Sequence, residues 1–294
     1  MKKLLFIYNP KAGKSGIVPC LSDIIDIMSR AGYEVTVYPT RAQGDGLLRA
    51  SDNIEGFDRI ICSGGDGTLD EIVTGIMKSG KRLPVGYIPA GSTNDFGRSI
   101  GAPKDMREAA RVAVGDKLFK CDIGKFNDRY FVYVAAFGLF TDVTYGTDQN
   151  LKKIFGYAAY LAEAVKSLQS IKPIPLTITY GDETISDNFL VGMVSNSNSV
   201  GGMSALPGPD VELDDGLFEV LLIKAPENVL ELNSIPPAIL DRKIKSDCVI
   251  TFRCSSIKIV SDEPIPWTLD GEYGGTVNEA NIYDMPEEIE FVVP

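Results

Sequence analysis

The sequence of 294 residues contains no histidine. This absence excludes the Ser-His-Asp and Cys-His catalytic groups, zinc sites built on histidine, and the HExxH metalloproteases. A general base in this chain must be a carboxylate, a lysine, a tyrosine or a cysteine. Acidic residues in defined motifs are therefore the first candidates for catalysis.

Cysteines and long apolar runs are also scarce. The five cysteines are scattered and form no CxxC pair, so we expect reduced thiols rather than a zinc set or a disulfide framework. No stretch is as long as a transmembrane helix, and the apolar run over 4–8 is too short for a signal peptide. These features predict a cytoplasmic protein.

Positive charge is in deficit, because 29 Lys and Arg face 40 Asp and Glu, for a net charge of −11. This balance argues against nucleic acid as a partner and against strong attraction to anionic membranes. A hydrophobic content of 44% is that of a soluble globular protein, and the length makes two domains the expectation.

The first 120 residues alternate strand-like and helix-like segments. Strands are predicted over 4–8, 34–38, 58–62 and 84–88, and helices near 17–31, 44–53, 68–78 and 105–115. This alternation is typical of an open parallel sheet with helices on both faces. Ligands of such sheets bind beyond the carboxyl ends of the strands.

The pattern changes after residue 122 to short β-branched and aromatic segments. They lie at 129–135, 176–180, 189–195, 217–223, 249–252 and 257–260. They predict two packed sheets, with one amphipathic helix over 151–168 whose lysine-rich edge faces either solvent or a membrane. We therefore predict an α/β domain over 1–122 and a β-sandwich over 123–294. Whether the last strand, 289–293, returns to the first domain stays open.

The loop after the first predicted strand reads Tyr-Asn-Pro-Lys-Ala-Gly-Lys-Ser over 8–15. It ends like a P-loop, but it lacks the leading glycine, and Pro10 removes an N–H that would face phosphate. A P-loop ATPase is therefore not expected. The loop fits either nucleotide contact or an ordinary strand–helix turn.

The loop after the third predicted strand holds Gly64-Gly65-Asp66-Gly67 at the start of a predicted helix. Glycines allow close backbone approach, and a helix N-terminus attracts anions, so this loop suits phosphate. Asp66 would repel phosphate unless a divalent cation or a donor lies between them. The alternative is that Asp66 only caps the helix.

The loop after the fourth predicted strand, 88–96, combines hydroxyls, an amide and a carboxylate. By itself it could be an Asx or Ser/Thr turn. Three such loops on neighbouring strand ends predict a phosphate site.

Two acidic motifs follow in the β region. Four acids stand within 210–215, and their spacing does not fit an EF-hand, so a Mg²⁺ site at Asp215 would need a further acid or a phosphate nearby. The second motif is Asp270-Gly271-Glu272, which by itself is more typical of a hairpin turn than of a catalyst.

Taken in order, these motifs resemble the soluble bacterial diacylglycerol kinase family, which is related to sphingosine and ceramide kinases. The resemblance covers nearly the whole chain. It implies a nucleotide-binding α/β domain like that of NAD kinases and phosphofructokinases, followed by a β-sandwich, with the active site in the cleft between them. The implied reaction transfers phosphate from ATP to the primary hydroxyl of diacylglycerol or a similar lipid, giving phosphatidic acid.

The resemblance also implies roles for individual residues. Glu272 would be the general base, and Asp66 would lie near a catalytic Mg²⁺ and the phosphates. Asp95 and Asp122 would join Asp66 in an acidic, water-bridged network. A second, structural Mg²⁺ would be held by the Asp215 side chain and the main-chain carbonyls of Glu212 and Leu217. The implied ATP contacts are Asn9, Pro10, Lys11, Ala12, Gly13, Thr40, Gly65, Asp66, Gly67, Thr68, Leu69, Asp70, Glu71, Ser92 and Thr93.

Two other functions stay open at this point. NAD kinases and phosphofructokinases carry a similar Gly-Gly-Asp-Gly loop and act on soluble substrates, although the later motifs favour the lipid branch. A nucleotide-binding regulator without turnover would keep the three loops and dispense with Glu272. If the protein is a lipid kinase, we expect it to meet its substrate at the inner face of the membrane and to form a homodimer. The sequence does not identify the lipid.

Overall fold

The computed structural model describes residues 1–13, 16–52, 54–138, 172–208 and 210–294. Within these ranges, thirteen strands form one continuous hydrogen-bonded sheet. The helix predicted over 151–168 lies outside the described residues. Among the helices that are described, none is long and apolar enough to cross a membrane.

The N-terminal part is an open parallel sheet in the order β4-β3-β1-β2. Its strands are β1 (Lys2–Tyr8), β2 (Tyr33–Pro39), β3 (Arg59–Gly64) and β4 (Val85–Pro89). Its helices are α1 (Leu21–Arg30), which follows a short 3₁₀ turn, α2 (Asp45–Ser51), α3 (Asp66–Ser79), α4 (Asp95–Ser99) and α5 (Met106–Ala113). The predicted alternation of strands and helices is confirmed.

Helices cover both faces of this sheet because the strands β1, β3 and β4 are buried on both sides. Leu4 and Phe6 of β1 pack in a cluster with residues of α1 and α5. Leu5 and Ile7, which point to the opposite face, pack with residues of α2 and α3. This arrangement aligns the carboxyl ends of β1, β3 and β4 along one edge.

The C-terminal part is a β-sandwich, as predicted. Its elements are β5 (Leu118–Phe126), β6 (Arg129–Phe131), β7 (Val134–Phe137), β8 (Ile174–Tyr180), β9 (Glu183–Ser195), β10 (Phe218–Lys224), α6 (Val229–Leu240), β11 (Val249–Cys254), β12 (Ser256–Leu269) and β13 (Glu272–Val292). Trp267 is fully buried in its core, with ring centroids 4.9 Å from Phe126 and 5.0 Å from Phe137. The two layers share strands, because β9 and β12 each pair with both β7 and β8.

The single strand predicted over 129–135 is wrong. The chain leaves the ladder at Val132 and Tyr133, between β6 and β7, because the backbone N–H groups of both residues donate to the Asp270 carboxylate. The strand predicted over 257–260 is longer than expected. It continues to Leu269, through a shift of register, and so carries the chain to the Asp-Gly-Glu turn.

The last strand connects the two parts. β13 pairs with β12 and β5 in antiparallel fashion, and near its end Phe291 pairs with Val85 of β4 in parallel. The C-terminal strand therefore joins the N-terminal sheet. The division of the chain at residue 122 stays a prediction.

Candidate active site

The three predicted loops lie against one another at the ends of β1, β3 and β4. A Cβ atom on Gly13, whose φ is +54°, would stand 2.5 Å from the Ala90 carbonyl oxygen. A Cβ atom on Gly91 would stand 2.5 Å from the Gly65 Cα. Only glycine fits these close approaches, so the sequence brings three backbone segments together into one surface.

Helix α3 points its N-terminus into this surface. Gly65 precedes the helix in an extended conformation, and Asp66 is its first residue. Asn9 of the first loop donates from Nδ2 to Thr68 Oγ1 at 3.4 Å, which links that loop to the first turn. The first N–H groups of a helix have no partner within the helix, so this end can bind an anion.

The loop after β4 is closed by Asn94, which has a positive φ of 53°. Its Oδ1 accepts from the Gly91 N–H at 2.9 Å, and its Nδ2 donates to the Gly91 carbonyl at 2.9 Å. This Asx-type closure holds Ser92 and Thr93 at the rim of the surface.

Asp66 does not cap its own helix. Its carboxylate accepts from the backbone N–H groups of Asp95, at 3.1 Å, and Phe96, at 3.3 Å, so it caps the start of α4. Burial raises the pKa of Asp66 to about 6, against the lowering effect of these hydrogen bonds, and the charge of Asp95 raises it further. The Asp66 carboxylate is thus held beside the loops, and no cationic side chain contributes to its pKa shift.

Asp95 is buried next to Asp66, with 1% of its surface exposed. Its Oδ1 accepts from Ser199 Oγ at 2.6 Å and from the Gly202 N–H at 2.8 Å. Both donors follow β9, so a segment of the sandwich holds this carboxylate in the N-terminal domain.

Glu272 reaches the same place from the turn between β12 and β13. A methyl group on Gly67 would stand 3.2 Å from its Oε1, and its Oε2 accepts from Gln43 Nε2 at 3.2 Å. The side chain itself is exposed. The structure therefore brings this sandwich carboxylate to the first turn of α3, beside Asp66.

Three other predicted ATP contacts have side chains that are hydrogen-bonded or packed elsewhere in the protein. Glu71 accepts from the N–H groups of Gly44, at 2.7 Å, and Gly46, at 3.0 Å, and so anchors the start of α2. Leu69 is fully buried in the core. Asp70 is hydrogen-bonded to Asp270. The side chains of Leu69 and Glu71 are therefore not available for contact with a nucleotide.

The remaining predicted contacts border the same surface. Lys11 is exposed on the first loop next to Pro10, and Ala12 is buried under it. Thr40 follows β2 directly, and its N–H donates to the Tyr8 carbonyl at 2.9 Å. Their roles stay predictions.

Asp122 belongs to a different acidic group. It lies on β5 with 1% of its surface exposed, and its carboxylate accepts from the N–H groups of Gly216 and Glu287, each at 2.7 Å. None of its described contacts is with Asp66 or Asp95. Burial raises its pKa against the lowering effect of these two hydrogen bonds, and the nearby charges of Asp214 and Asp215 add to the rise.

This second group also contains Asp215, Glu219 and Asp284. Asp215 forms an ion pair with Arg253, whose Nε lies 3.2 Å from Glu219 Oε1. Both carboxylate oxygens of Asp284 are buried and lack a hydrogen-bond partner among the described residues. Burial raises the pKa of Glu219 and of Asp284 to about 7.

The comparisons with known proteins agree along the whole chain. Residues 3–126 match the diacylglycerol kinase catalytic domain, and residues 135–292 match the YegS C-terminal NAD kinase beta sandwich-like domain. A diacylglycerol kinase of Staphylococcus haemolyticus (strain JCSC1435) is 38% identical and covers 98% of this chain and 87% of its own length. A diacylglycerol kinase of Staphylococcus carnosus (strain TM300) is 35% identical and covers 100% of this chain and 95% of its own length. The chain belongs to the diacylglycerol kinase family.

Solved structures share the fold of this kinase. A crystal structure of a diacylglycerol kinase from Bacillus anthracis str. Sterne has a TM-score of 0.76 at 23% identity, over 100% of this chain and 97% of that one. Another structure from the same organism has a TM-score of 0.84 at 26% identity, with the same coverage. The family assignment makes the chain an ATP-dependent kinase.

Sequence reasoning missed several residues that shape this kinase site. Ser199 stands in the polar run Asn-Ser-Asn-Ser, directly after a predicted strand, and a polar run in that position could have indicated a site residue. Glu219 is an acidic residue directly before the apolar run Val-Leu-Leu-Ile of its strand, and this contrast was a second indication. No local pattern pointed to Asp284 or Gln43, because their partners are distant in sequence.

Proposed function

We propose that this kinase transfers the γ-phosphoryl group of ATP to the primary hydroxyl of diacylglycerol or a lipid of the same type. The observation that carries the proposal is the approach of Glu272, from the sandwich, to the glycine-rich start of α3. Phosphoryl transfer needs bound phosphates and a base for the acceptor hydroxyl in one place. The relatives named diacylglycerol kinase support diacylglycerol as the acceptor.

The nucleotide would bind along the three packed loops. Backbone N–H groups at Gly65 and Gly67, together with the dipole of α3, would hold the terminal phosphates. The polar side chains of Asn9 and Thr68, which are already hydrogen-bonded to each other, border that position. Ser92 and Thr93 would add hydroxyl donors from the third loop.

Glu272 would take the proton of the lipid hydroxyl. Its carboxylate is exposed, so it is free to face a substrate, and Gln43 holds one of its oxygens. A positioned base is typically worth about 10²–10⁴ in rate. The remaining acceleration would come from alignment of hydroxyl and phosphorus as the lipid enters the cleft.

The residues at Asp66 fit a magnesium ion by their chemistry. Two carboxylates, Asp66 and Asp95, lie close together, burial raises the pKa of Asp66, and oxygen ligands are those that Mg²⁺ prefers. When bound, Mg²⁺ neutralises charge on the phosphates. Asp66, with Asp95 behind it, would hold the ion, while the protein's amides bind the phosphate oxygens.

The second acidic group carries buried negative charge that a structural cation would balance. The buried oxygens of Asp284 have no hydrogen-bond partner among the described residues, and Arg253 is the cation paired with Asp215 and Glu219. We expect the Asp215 side chain and the carbonyls of Glu212 and Leu217 to bind it. Geometry alone does not present a ready set, since the described residues contain no cluster of three acidic, cysteine or histidine side chains arranged for a metal.

We further expect the kinase to act at the inner membrane surface, where its lipid is found, and to form a homodimer. Sedimentation of the pure protein with and without vesicles containing diacylglycerol measures both properties.

The proposal is tested with radiolabelled ATP and a panel of acceptors in mixed micelles, with and without Mg²⁺. The panel contains diacylglycerol, phosphatidylglycerol, ceramide and a polyprenol, and NAD and a hexose phosphate serve as soluble acceptors. Labelled phosphatidic acid that depends on Mg²⁺ is the expected product. Label on NAD or the sugar, with none on lipid, would replace this proposal with a soluble-substrate kinase.

A further inference from the structure

The turn that carries Glu272 is anchored by an unusual residue. Asp270 has a positive φ of 51°, and only 3% of its surface is exposed. An Asp-Gly pair in an ordinary hairpin turn is exposed to solvent, and it needs no buried carboxylate. The burial of Asp270 therefore calls for a role other than forming the turn.

The Asp270 carboxylate is held by three backbone donors. Its Oδ2 accepts from the Val132 N–H at 2.5 Å, and its Oδ1 accepts from the N–H groups of Tyr133 and Val134, each at 2.9 Å. The Asp270 N–H in turn donates to the Val134 carbonyl at 2.9 Å. Four hydrogen bonds thus fix Asp270 to the break between β6 and β7. Asp270 stands two residues before Glu272.

The other side of Asp270 faces helix α3. The Asp70 side chain is hydrogen-bonded to it, and Thr74 Oγ1 donates to Asp70 Oδ1 at 3.4 Å. Two carboxyl groups within hydrogen-bond distance share a proton, because two ionised groups would repel. Asp70 lies one helical turn after Asp66, so the pair joins the α3 segment bearing Asp66 to the turn bearing Glu272.

We propose that Asp70 and Asp270 are positioning residues, which clamp the Glu272 turn onto the first turns of α3 through a hydrogen bond between their carboxyl groups. This rests on the proposed function of Glu272 as base. The clamp crosses from the N-terminal domain to the sandwich at the level of the reacting groups. Without this clamp, the Glu272 carboxylate would no longer be held at a fixed distance from Gly67.

The clamp gives Asp70 a role different from the nucleotide contact that the family resemblance implies. A contact with ATP would act on KM for ATP. A positioning residue for the base acts on kcat, since a misplacement of about 1 Å costs roughly 10²-fold in rate. The two roles therefore separate in the kinetics.

The test compares Asp70→Ala and Asp70→Asn with the wild type, at a temperature well below each Tm. For Asp70→Ala we expect kcat to fall about 10–100-fold, with KM for ATP within about threefold of the wild type. Asp70→Asn should recover at least about tenfold of that loss, because an amide N–H can donate to the Asp270 carboxylate without a shared proton. Asp182→Ala, the same change in an exposed hairpin turn, is the control and should match the wild type.

An effect of Asp70→Ala confined to KM for ATP, or a kcat within threefold of the wild type, would overturn the clamp. So would an Asp70→Asn variant that folds like the wild type and is as slow as Asp70→Ala. A wild-type protein that labels no lipid would instead refute the proposed function. In that case hydrogen exchange still tests the anchor: Asp270→Asn replaces one acceptor oxygen by an NH₂ group, so it should deprotect at least one of the amides of Val132, Tyr133 and Val134, and unchanged protection of all three would refute it.

Discussion

Glu272→Gln is the change that separates catalysis from folding most cleanly. The Glu272 side chain is exposed, and its one described hydrogen bond is accepted from Gln43 at 3.2 Å. A solvent-exposed hydrogen bond of this kind contributes at most about 1 kcal/mol to the free energy of unfolding. Glutamine has the same shape and can still bond Gln43. Since about 1 kcal/mol shifts the Tm of a chain of this size by roughly 2–4 °C, Tm should stay within that range.

The effect on turnover should be far larger. If Glu272 is the base, its loss should lower kcat by about 10²–10⁴, which corresponds to about 2.7–5.4 kcal/mol of transition-state stabilisation. ATP affinity should stay near the wild-type value, because in the proposed arrangement the carboxylate serves the acceptor hydroxyl and backbone amides hold the phosphates.

The assay measures initial rates of phosphate transfer to diacylglycerol in mixed micelles, and ATP affinity by displacement of a fluorescent nucleotide. Glu263→Gln serves as the matched control, because Glu263 is an exposed glutamate on β12 of the same domain. A Glu272→Gln variant with kcat within threefold of the wild type would refute the assignment. So would a large loss of ATP affinity at unchanged kcat.

Three further predictions concern the two acidic groups. Asp66→Asn should abolish turnover at every Mg²⁺ concentration, measured in the same transfer assay, and a nearly active variant would contradict its role. Asp215→Ala should lower Tm, because Arg253 loses one of its two acidic partners and the Leu217 N–H loses an acceptor at 3.1 Å. Added Mg²⁺ should then no longer raise Tm in a thermal scan. Asp284→Asn tests pH dependence: burial raises the pKa of Asp284 to about 7, so its neutral form stabilises the fold below about pH 4 and this contribution is lost by pH 7. In metal-free buffer the Tm of the variant relative to that of the wild type should rise steadily from pH 4 to pH 8, and a Tm difference that does not change with pH would contradict this.

Much of the fold could be predicted because the relevant signals are local. Strands such as Arg59–Gly64 are apolar on both faces, which is what a parallel sheet covered by helices requires. The glycines at 13, 65 and 91 marked close backbone approaches, which the structure shows between neighbouring loops. The family resemblance added the order of the motifs.

What could not be predicted depends on contacts between distant residues. The break at Val132 and Tyr133 exists because Asp270, 138 and 137 residues away, accepts their N–H groups. Asp66 caps α4 rather than its own helix for the same kind of reason. Local periodicity reports which face is buried, and it carries no information on which distant carboxylate takes a free N–H.

The most direct test of the central claim is a crystal structure with a non-hydrolysable ATP analogue and Mg²⁺. We expect the terminal phosphate at the N-terminus of α3, the metal against Asp66, and the Glu272 carboxylate on the open side of that phosphate. A nucleotide bound away from the three loops, or a Glu272 side chain held away from the terminal phosphate by its own turn, would contradict it.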